Sequence, residues 1–559
     1  MTTSTPVAPL ETLPNRPVVA SEGTQLELGV GAASPLARDL LDAKTRELLV
    51  TLHRQLEDER ELLLEARAQR QRRWDAGALP GYFPQDSEAI RGDWRVAPIP
   101  PDLRRRRVEI TGPVNDAKMV INMLSRTAQG HRADTAMLDF EDSMRPTWWN
   151  VLDGLDNVRR AVAGTLTFVK PASGKTGEKV YRLDPEDQAV LMVRVRGLHL
   201  DESNVRVEGR PIAAGLFDFA VTLAHTAEAL VAQGKTPKFY VPKIEHPLEA
   251  RWWNRLFVLA QERLGLPAGT LRATFLIETL PAAFAIEEIL FEIRDHAAGL
   301  NVGRWDKIFS DIKVLGHHGD RILADRATIG LDRPWMRDYA TRLVRVCHRR
   351  GAYALGGMAA FTPGRTPEVR EAQTAKVLAD KELEFALGHD GCWVSHPYFL
   401  GPALSAFPKD HQLDVRHEDL DPCPELLPEA TPPHTLEGLR TNVRVGIGYL
   451  EGWNRGLGCV AWDDLMEDLA TLEISRAQTW QWLHHRITLD GGEVVDEALV
   501  RQLFDEELDT IQAEIDDAEL SPAASEARRR AFVRAKDDAL RLFTERKLRP
   551  FLTCSSELA

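Results

Sequence analysis

Three carboxylates fall within four positions in the segment Asp139-Phe140-Glu141-Asp142, directly after the apolar residues 136–138. Like charges repel one another, and partial burial makes their proximity more costly. Water, a basic neighbour or a cation must therefore compensate. If the segment continues a strand, alternation places Asp139 and Glu141 on one face and points Asp142 away.

Charged side chains also follow other short apolar runs. Together these strand-end candidates are Asp139, Glu141, Asp142, Arg194, Arg196, Lys243, Glu278, Arg304, Asp306 and His396. Glu141, Glu278 and Asp306 are hard oxygen donors without a histidine or cysteine set beside them, which favours Mg²⁺. For any single carboxylate, pairing with a basic residue explains it equally well. Four or more at strand ends favour a functional site.

Asp468 lies in the segment Leu-Met-Glu-Asp-Leu-Ala-Thr-Leu, which predicts a helix. On that helix Asp468 shares a face with Leu465 and Leu472. An aspartate on an apolar stripe is unusual and indicates a catalytic carboxylate. The alternative is a residue of the first helical turn that faces the helix dipole. The residues alone leave both interpretations open.

Eight short apolar runs, each ending in polar or glycine-rich residues, predict strands. They begin at Val108, Ala136, Val190, Lys238, Ala273, Ala298, Ala352 and Gly391. Most of the intervening segments have helical patterns. Buried strands alternating with helices indicate a parallel sheet covered on both faces, and eight such units predict a (β/α)8 TIM barrel. The active site of such a barrel lies at the carboxyl ends of its strands, where the candidates above would meet.

The chain divides into five predicted parts. Residues 1–33 are rich in Pro, Thr, Gly and Ala and predict a mobile N-terminus. A helix beginning at Ser34-Pro35 opens an N-terminal helical clasp over residues 34–100, followed by the barrel over residues 101–420. Residues 421–435 contain five prolines and predict an extended linker. Residues 436–559 predict a C-terminal all-helical domain.

Composition excludes several classes of function. The 559 residues carry a net charge of −14, which argues against binding to nucleic acid or to an anionic membrane. No apolar run is long enough for a membrane span, and the N-terminus lacks the pattern of a secretory signal. The five cysteines are scattered, without a Cys-x-x-Cys pair, which favours a reduced cytoplasmic compartment.

Several motifs together resemble the malate synthase family in its shorter A-type form. They are RRVEITGPV, MLDFEDS, VRVRGLHL, LIETLPAAF, IRDHAAGLNVGRWDKIFSDIK, GGMAAF, GHDGCWVSHP and LMEDLATLEISRAQTWQW, in the family's order over about residues 95 to 490. The resemblance implies a (β/α)8 barrel flanked by an N-terminal helical clasp and capped by a C-terminal helical domain. It also implies the glyoxylate-cycle reaction of acetyl-CoA, glyoxylate and water to malate and CoA, with Mg²⁺.

The resemblance assigns roles to individual residues. Arg194 and Asp468 match the catalytic pair, and Glu278 and Asp306 match the metal ligands, with Asp139 and Glu141 near the metal. The implied glyoxylate-binding residues are Arg194, Glu278, Gly303, Arg304, Trp305 and Asp306. Ser143 and Pro363 match contacts to acetyl-CoA.

Three positions depart from the family pattern. Tyr398 replaces a glycine after the eighth strand, Val302 stands where cysteine is common, and Asp464 replaces the glycine before Leu-Met-Glu-Asp. Two other functions remain as alternatives: a malyl-CoA or citramalyl-CoA lyase on a related barrel, and a non-catalytic barrel scaffold. The sequence does not decide between a monomer and a homo-oligomer.

Overall fold

The computed structural model describes residues 26–172, 177–515 and 520–554. Eight parallel strands close into a barrel in the order in which they occur along the chain. They are β1 (Val108–Pro113), β2 (Thr135–Asp139), β3 (Val190–Arg194), β4 (Lys238–Val241), β5 (Arg272–Ile277), β6 (Ala297–Val302), β7 (Tyr353–Ala359) and β8 (Gly391–Val394). Each of the eight apolar runs forms a strand, so the predicted barrel is confirmed.

Helices follow the strands and cover the outside of the barrel. They are Ala117–Leu124, Trp148–Val162, Ala214–Ala232, Pro247–Leu264, Leu280–Phe284, Ile286–Glu292, Arg304–Leu315, Pro334–Arg350, Pro367–Ala386 and Leu400–Ala406. Among the described residues one helix, Ala214–Ala232, is long and apolar enough to cross a membrane, but 72% of its apolar window is buried inside the protein. Its hydropathy therefore reflects its place between the barrel and the N-terminal helices.

The N-terminal clasp begins as predicted, because Ser34 caps a helix by accepting a hydrogen bond from the amide of Ala37 at 3.0 Å. The predicted continuous helix is divided into Pro35–Leu40 and Ala43–Asp75, with Asp42 capping the second. The long helix packs against Ala214–Ala232 and Pro247–Leu264. Its Arg67 donates to Glu249 at 2.6 Å in a buried pair that fastens the clasp to the barrel. Two short helices, Glu88–Arg91 and Pro101–Leu103, complete the N-terminal region.

Five strands outside the barrel and before the C-terminal domain form a three-stranded sheet and a two-stranded hairpin that the sequence did not predict. Leu26–Leu28 pairs with Asp201–Val207, which also pairs with Arg210–Ala213. Thr167–Lys170 pairs with Lys179–Arg182. The segment predicted to be a mobile N-terminus, residues 1–33, includes the strand Leu26–Leu28, and its residues 1–25 lie outside the described part of the chain.

The C-terminal domain has its own hydrophobic core. Its helices are Leu436–Asn454, Leu469–His485, Glu497–Ala513 and Pro522–Phe543, with a short turn of helix at Leu552–Cys554. The domain is helical as predicted, with one addition: Val460–Trp462 and Leu465–Glu467 form an antiparallel strand pair. Helix Leu469–His485 contributes to both the barrel core and the domain core, so it is buried on nearly every side.

Candidate active site

A cavity opens to solvent at the carboxyl ends of the barrel strands, and about 710 Å³ of empty space, part of it open solvent, lies within its mouth and walls. The barrel supplies most of its wall, and Cys459, Met466, Asp468 and Ala470 of the C-terminal domain close one side. The polar lining from the barrel includes Asp139, Asp142, Ser143, Arg194, Glu278, Gly303, Arg304, Trp305, Asp306 and Ser395. The cavity therefore lies between the two domains, at the end of the barrel where the sequence predicted a site.

Arg194 is the last residue of β3 and lies beside Asp139, the last residue of β2. Its Nε and Nη2 donate to the two carboxylate oxygens of Asp139, both at 2.7 Å. Asp139 also accepts hydrogen bonds from the amides of Glu141 and Ser143 and from the Ser143 hydroxyl. Asp139 is thus fully occupied, and it fixes both Arg194 and the turn after β2. No hydrogen-bond partner of Arg194 Nη1 is found among the described residues.

Lys243 lies at the centre of three carboxylates. Its Nζ is 2.7 Å from Glu141 Oε1, 2.9 Å from Asp142 Oδ1 and 3.1 Å from Asp306 Oδ1. Its φ of 53° lies in the left-handed region, which a residue with a side chain adopts only at a cost. The prediction that Asp142 points away is wrong, since β2 ends at Asp139 and strand alternation stops there.

Burial and charge act differently on the neighbouring acids Glu141 and Asp142. Burial and the charge of Asp142 raise the pKa of Glu141 well above 4.5. Burial also disfavours the charged form of Asp142, but Lys243 and Arg194 outweigh that effect and lower its pKa below 3.8. The pair therefore carries its negative charge mainly on Asp142.

Glu278 and Asp306 follow β5 and β6. Glu278 Oε1 accepts the amide hydrogen bond of Lys243 at 2.7 Å. Its Oε2 is buried without a hydrogen-bond partner among the described residues. Burial and Asp306 raise the pKa of Glu278 well above 4.5, and burial and Asp142 raise the pKa of Asp306 to about 6. Two carboxylates that are costly to ionise in this way form an arrangement that a divalent cation would stabilise.

These residues fit Mg²⁺ as the predicted metal. No group of three or more His, Cys, Asp or Glu side chains within the described ranges is arranged to hold a metal by itself. Mg²⁺ does not need such a cage, because it commonly takes one or two carboxylates and keeps waters or substrate oxygens for its other positions. Glu278 Oε2 and the Asp306 carboxylate are the donors available for it.

Asp468 is the N-cap residue of helix Leu469–His485, and its carboxylate accepts the amide hydrogen bond of Thr471 at 3.2 Å. The predicted helical face shared with Leu465 is wrong, because Leu465 belongs to the strand that precedes the cap. Asp468 nevertheless lines the cavity. Burial and the charges of Asp142 and Asp306 raise its pKa well above 3.8. The first-turn interpretation and the cavity position therefore both hold for this residue.

Three contacts fix Asp468 against the barrel. The amide of Leu469 donates to the carbonyl of Asp142 at 3.2 Å, and the amide of Met466 donates to the carbonyl of Ala360 at 2.7 Å. Gly458 packs so closely on the backbone of Met144 that an added Cβ would lie 2.3 Å from it. The C-terminal domain thus meets the turn that carries the acidic cluster.

Helix Arg304–Leu315 begins at the cavity, with Gly303 as its N-cap residue. A Cβ on Gly303 would lie 2.4 Å from the Cβ of Glu278, so a side chain there would displace a predicted metal ligand. Arg304 also borders the cavity, but its guanidinium is held by Asp380 at 2.7 and 2.8 Å. At this helix start the backbone amides of the first turn, rather than the Arg304 side chain, are the donors available to an anion.

Some predicted residues lie elsewhere. Arg196 is buried in pairs with Asp218 and Glu202, and the ring of His396 accepts the amide hydrogen bond of Tyr398. Pro363 is not part of the cavity wall, although the amide of the preceding Thr362 donates to Asp464 of the C-terminal domain at 2.9 Å. Tyr398 also lies outside the wall, in the short helix Pro397–Phe399.

Several cavity residues were not predicted from sequence. They are the apolar or sulfur-containing residues Met119, Met137, Leu276, Met358, Trp393, Cys459 and Met466. Side chains of this kind occur in hydrophobic cores as often as in binding sites, so their residue types do not indicate a position at the cavity. Trp393 is an example: it occupies the barrel interior, and the Arg194 guanidinium lies 5.9 Å from its ring.

Family models match most of the chain. The model described as "Malate synthase, N-terminal domain" matches residues 30–88, "Malate synthase, TIM barrel domain" matches residues 190–422, and "Malate synthase, C-terminal" matches residues 433–556.

Curated relatives and a solved structure are also similar to this chain. "Malate synthase A" of Escherichia coli (strain K12) is 44% identical over 491 residues, covering 87% of this chain and 90% of that protein. "Malate synthase" of Myxococcus xanthus (strain DK1622) is 45% identical, with 87% and 88% covered. The solved structure "Haloferax volcanii Malate Synthase Pyruvate/Acetyl-CoA Ternary Complex" is 14% identical with a TM-score of 0.45, covering 76% of this chain and 98% of that one.

Proposed function

The chain belongs to the malate synthase family and catalyses the condensation of acetyl-CoA with glyoxylate, and we propose that Asp468 and Arg194 are its catalytic pair and Mg²⁺ its metal. The observation that carries this assignment is the shared cavity. Arg194 at the end of β3, Glu278 and Asp306 after β5 and β6, and Asp468 from the C-terminal domain all border it. A general base, a cationic group and two metal-binding carboxylates thus surround one space.

Glu278 and Asp306 would hold Mg²⁺. When bound, the ion would polarise the glyoxylate aldehyde as a Lewis acid. It would also offset the negative charge of the Glu278 and Asp306 carboxylates. The amide hydrogen bond from Lys243 to Glu278 at 2.7 Å keeps Oε1 occupied and leaves Oε2 for the metal.

We place the glyoxylate carboxylate at the start of helix Arg304–Leu315. The first amides of a helix lack intrahelical acceptors, and the helix dipole favours an anion there. Gly303 allows the backbone to approach Glu278 closely, so the anion site and the metal site adjoin. Arg304 acts indirectly, since its bidentate pair with Asp380 fixes the first turn of this helix.

Asp468 is the proposed general base that removes a proton from the acetyl methyl group. Its carboxylate is buried, and burial with the charges of Asp142 and Asp306 raises its pKa. A higher pKa makes a carboxylate a stronger base for a weakly acidic C–H bond, provided that it stays ionised at the working pH. The hydrogen bond that the Thr471 amide donates to the carboxylate holds it at the cavity wall.

Arg194 is the proposed stabiliser of the enolate. Loss of the methyl proton places negative charge on the thioester oxygen, and a fixed guanidinium stabilises such charge without reorganisation. Asp139 holds the Nε and Nη2 side of Arg194, which leaves Nη1 for substrate. The methyl carbon then forms a bond to the aldehyde carbon as the aldehyde C=O π bond opens, and the resulting alkoxide oxygen takes up a proton. Water then cleaves the thioester of the malyl-CoA to release malate and CoA.

Two residues are proposed contacts of acetyl-CoA. Ser143 lines the cavity, and its hydroxyl donates to Asp139 at 2.7 Å. Pro363 lies beside the strand pair of the C-terminal domain, outside the cavity wall.

We place the reaction in the cytoplasm, consistent with five free cysteines. No nucleic-acid or membrane partner is proposed, and either a monomer or a homo-oligomer is compatible with the site.

The two alternatives from the sequence are not favoured. A lyase-like barrel does not require the C-terminal domain, yet a malate synthase model matches residues 433–556 and this domain delivers Asp468 to the cavity. A non-catalytic scaffold would not need to retain the full set of polar residues at the strand ends.

The testing experiment supplies glyoxylate, acetyl-CoA and Mg²⁺ together and measures free thiol and malate over time. Equal release of both supports the proposed reaction. Malyl-CoA without free thiol would indicate the lyase type instead.

A further inference from the structure

An arginine-lined cleft lies at the opposite end of the barrel from the active site. The amide of Val96 donates to the carbonyl of Arg350 at 2.9 Å, which holds the segment around residue 94 across the start of β7. The cleft encloses about 900 Å³ of empty space open to solvent. Its lining residues are Arg91, Gly92, Asp93, Trp94, Arg95, Arg345, Arg349, Arg350, Arg416 and Glu418.

The charge of this cleft is opposite to that of the chain. Six arginines and two acids line it, whereas the whole chain has a net charge of −14. The arginines come from three separate segments: residues 91–95, helix Pro334–Arg350, and the loop around residue 416. Like charges gathered from distant parts of a chain repel one another, so a concave cluster of this kind is a site that an anion would stabilise.

Three of the guanidinium groups bind only backbone carbonyls. Arg91 donates to Gln85, Arg95 to Arg349, and Arg345 to Leu420, at 3.3, 3.2 and 2.9 Å. Within the described residues no carboxylate oxygen lies within the 4.0 Å ion-pair distance of these three side chains. Each therefore keeps donors for another ligand.

The other arginines form the wall. Arg350 is buried, pairs with Glu287 at 2.6 Å and stacks over Trp94 at 4.2 Å. Arg349 is half exposed and lies 3.8 Å from Glu287. Basic residues in a last helical turn also offset the helix dipole, which explains Arg349 and Arg350 without any ligand. Arg91 also ends a short helix, Glu88–Arg91, so that explanation leaves Arg95 and Arg416, which lie outside helices; Arg416 lies 3.9 Å from Glu418.

We propose that this cleft binds a small anion that carries two or more phosphate groups. A guanidinium presents paired N–H donors that match two oxygens of one phosphate group. Several such forks on one concave surface suit adjacent phosphates better than a single carboxylate. The proposal concerns a site separate from the catalytic cavity and holds whatever roles Asp468 and Arg194 have.

Isothermal titration of the full-length protein with inorganic pyrophosphate tests the proposal. Coenzyme A is kept saturating, so that its own phosphate contacts in the active site are filled, and Mg²⁺ is held at one concentration. The test variant is R91Q/R95Q/R349Q, because these three side chains are exposed and their backbone hydrogen bonds are at least 3.2 Å long. The matched control is R455Q/R501Q/R530Q, whose exposed arginines each pair with a glutamate four residues earlier.

We expect one pyrophosphate per chain, affinity lower by about tenfold or more in the test variant, and parental affinity in the control. Malate synthesis should remain parental in both. The charge-preserving variant R91K/R95K/R349K should bind more tightly than the glutamine variant. Absence of pyrophosphate binding, or equal binding by the test variant, would overturn the site. Equal affinity for citrate would overturn its assignment to phosphate groups.

Discussion

The ammonium nitrogen of Lys243 lies 3.1 Å from Oδ1 of Asp306, so a fixed cation touches a proposed metal ligand. The same ammonium also contacts Glu141 and Asp142. The charge of the acidic cluster at the end of β2 is therefore balanced in part by the protein itself. The contacts of Lys243 explain in part how the three carboxylates of residues 139–142 can lie close together, and the first prediction concerns this lysine.

Lys243→Met should make the protein more dependent on Mg²⁺ for its stability. Removing one partner of a buried ion pair costs about 3–5 kcal/mol, because the remaining charges stay buried. The more negative site should then attract Mg²⁺ more strongly. Thermal melts in EDTA and in saturating Mg²⁺ should show a lower Tm in EDTA and a larger Mg²⁺-induced rise than in the parent.

Lys313→Met is the matched control, since Lys313 is a buried cation that pairs with Glu245 outside the cavity. Its Mg²⁺-induced rise in Tm should equal that of the parent. If Lys243→Met shows the same rise as Lys313→Met, Lys243 does not influence the metal site.

Asp306→Asn should raise the Mg²⁺ concentration needed for half-maximal activity, because a neutral amide oxygen is a weaker ligand than a carboxylate for a hard cation. We expect an increase of about tenfold or more. Steady-state rates across a Mg²⁺ titration provide the measurement. Asp311→Asn, which alters a buried carboxylate paired with Lys307 at 2.6 Å, serves as the control. Unchanged Mg²⁺ dependence in Asp306→Asn would remove this residue from the metal site.

The barrel and the location of its site could be predicted from sequence because parallel strands are continuous apolar runs. Glu278 directly follows one such run and Asp306 comes four residues after another, so the topology brings them to the same end of the barrel. The direction predicted for the Asp142 side chain from strand alternation was wrong, because β2 ends at Asp139 and the chain turns there. A period of two predicts side-chain direction only while the strand continues.

Other features depend on tertiary contacts that a single sequence does not reveal. Asp468 looked like a helix-interior residue, but the strand pair that precedes it makes it an N-cap. Arg106 is one of four consecutive arginines, a charge run of a kind usually found in solvent, yet it is fully buried and pairs with Glu109 at 2.7 Å. The partner that stabilises such a buried charge is visible only in the fold.

Gly458→Ala should lower activity with little effect on the barrel. The added methyl group would lie 2.3 Å from the Met144 backbone and push the strand pair before Asp468 away from the barrel. Because a small misplacement of a catalytic group is costly, kcat should fall by about tenfold to a hundredfold. Gly81→Ala is the control, since a Cβ there meets nothing within 4 Å. Equal kcat values for the two variants would show that this contact does not position the base.

Acid should destabilise the protein in part through His296. Burial lowers the pKa of His296 to about 4, and its neutral ring bonds Asn254 at 2.7 Å and Gln261 at 2.8 Å. Since the folded-state pKa lies below 6.5, this stabilisation is complete above pH 6.5 and is lost as pH falls towards 4. Full loss corresponds to roughly 3 kcal/mol. His296→Gln should therefore show a smaller fall in unfolding free energy between pH 7 and pH 5 than the parent, measured by urea denaturation, and an equal fall would contradict this role.

The central claim is that Asp468 removes the acetyl methyl proton, and the kcat of Asp468→Asn tests it most directly. Asparagine also caps helices, so helix Leu469–His485 should keep its start while the base is lost. Asp464→Asn, an exposed change four residues earlier, should behave as the parent. At saturating acetyl-CoA, glyoxylate and Mg²⁺, we predict that free-thiol release by Asp468→Asn falls by about 10²–10⁴. A rate within about twofold of the Asp464→Asn control would show that Asp468 is only a helix cap.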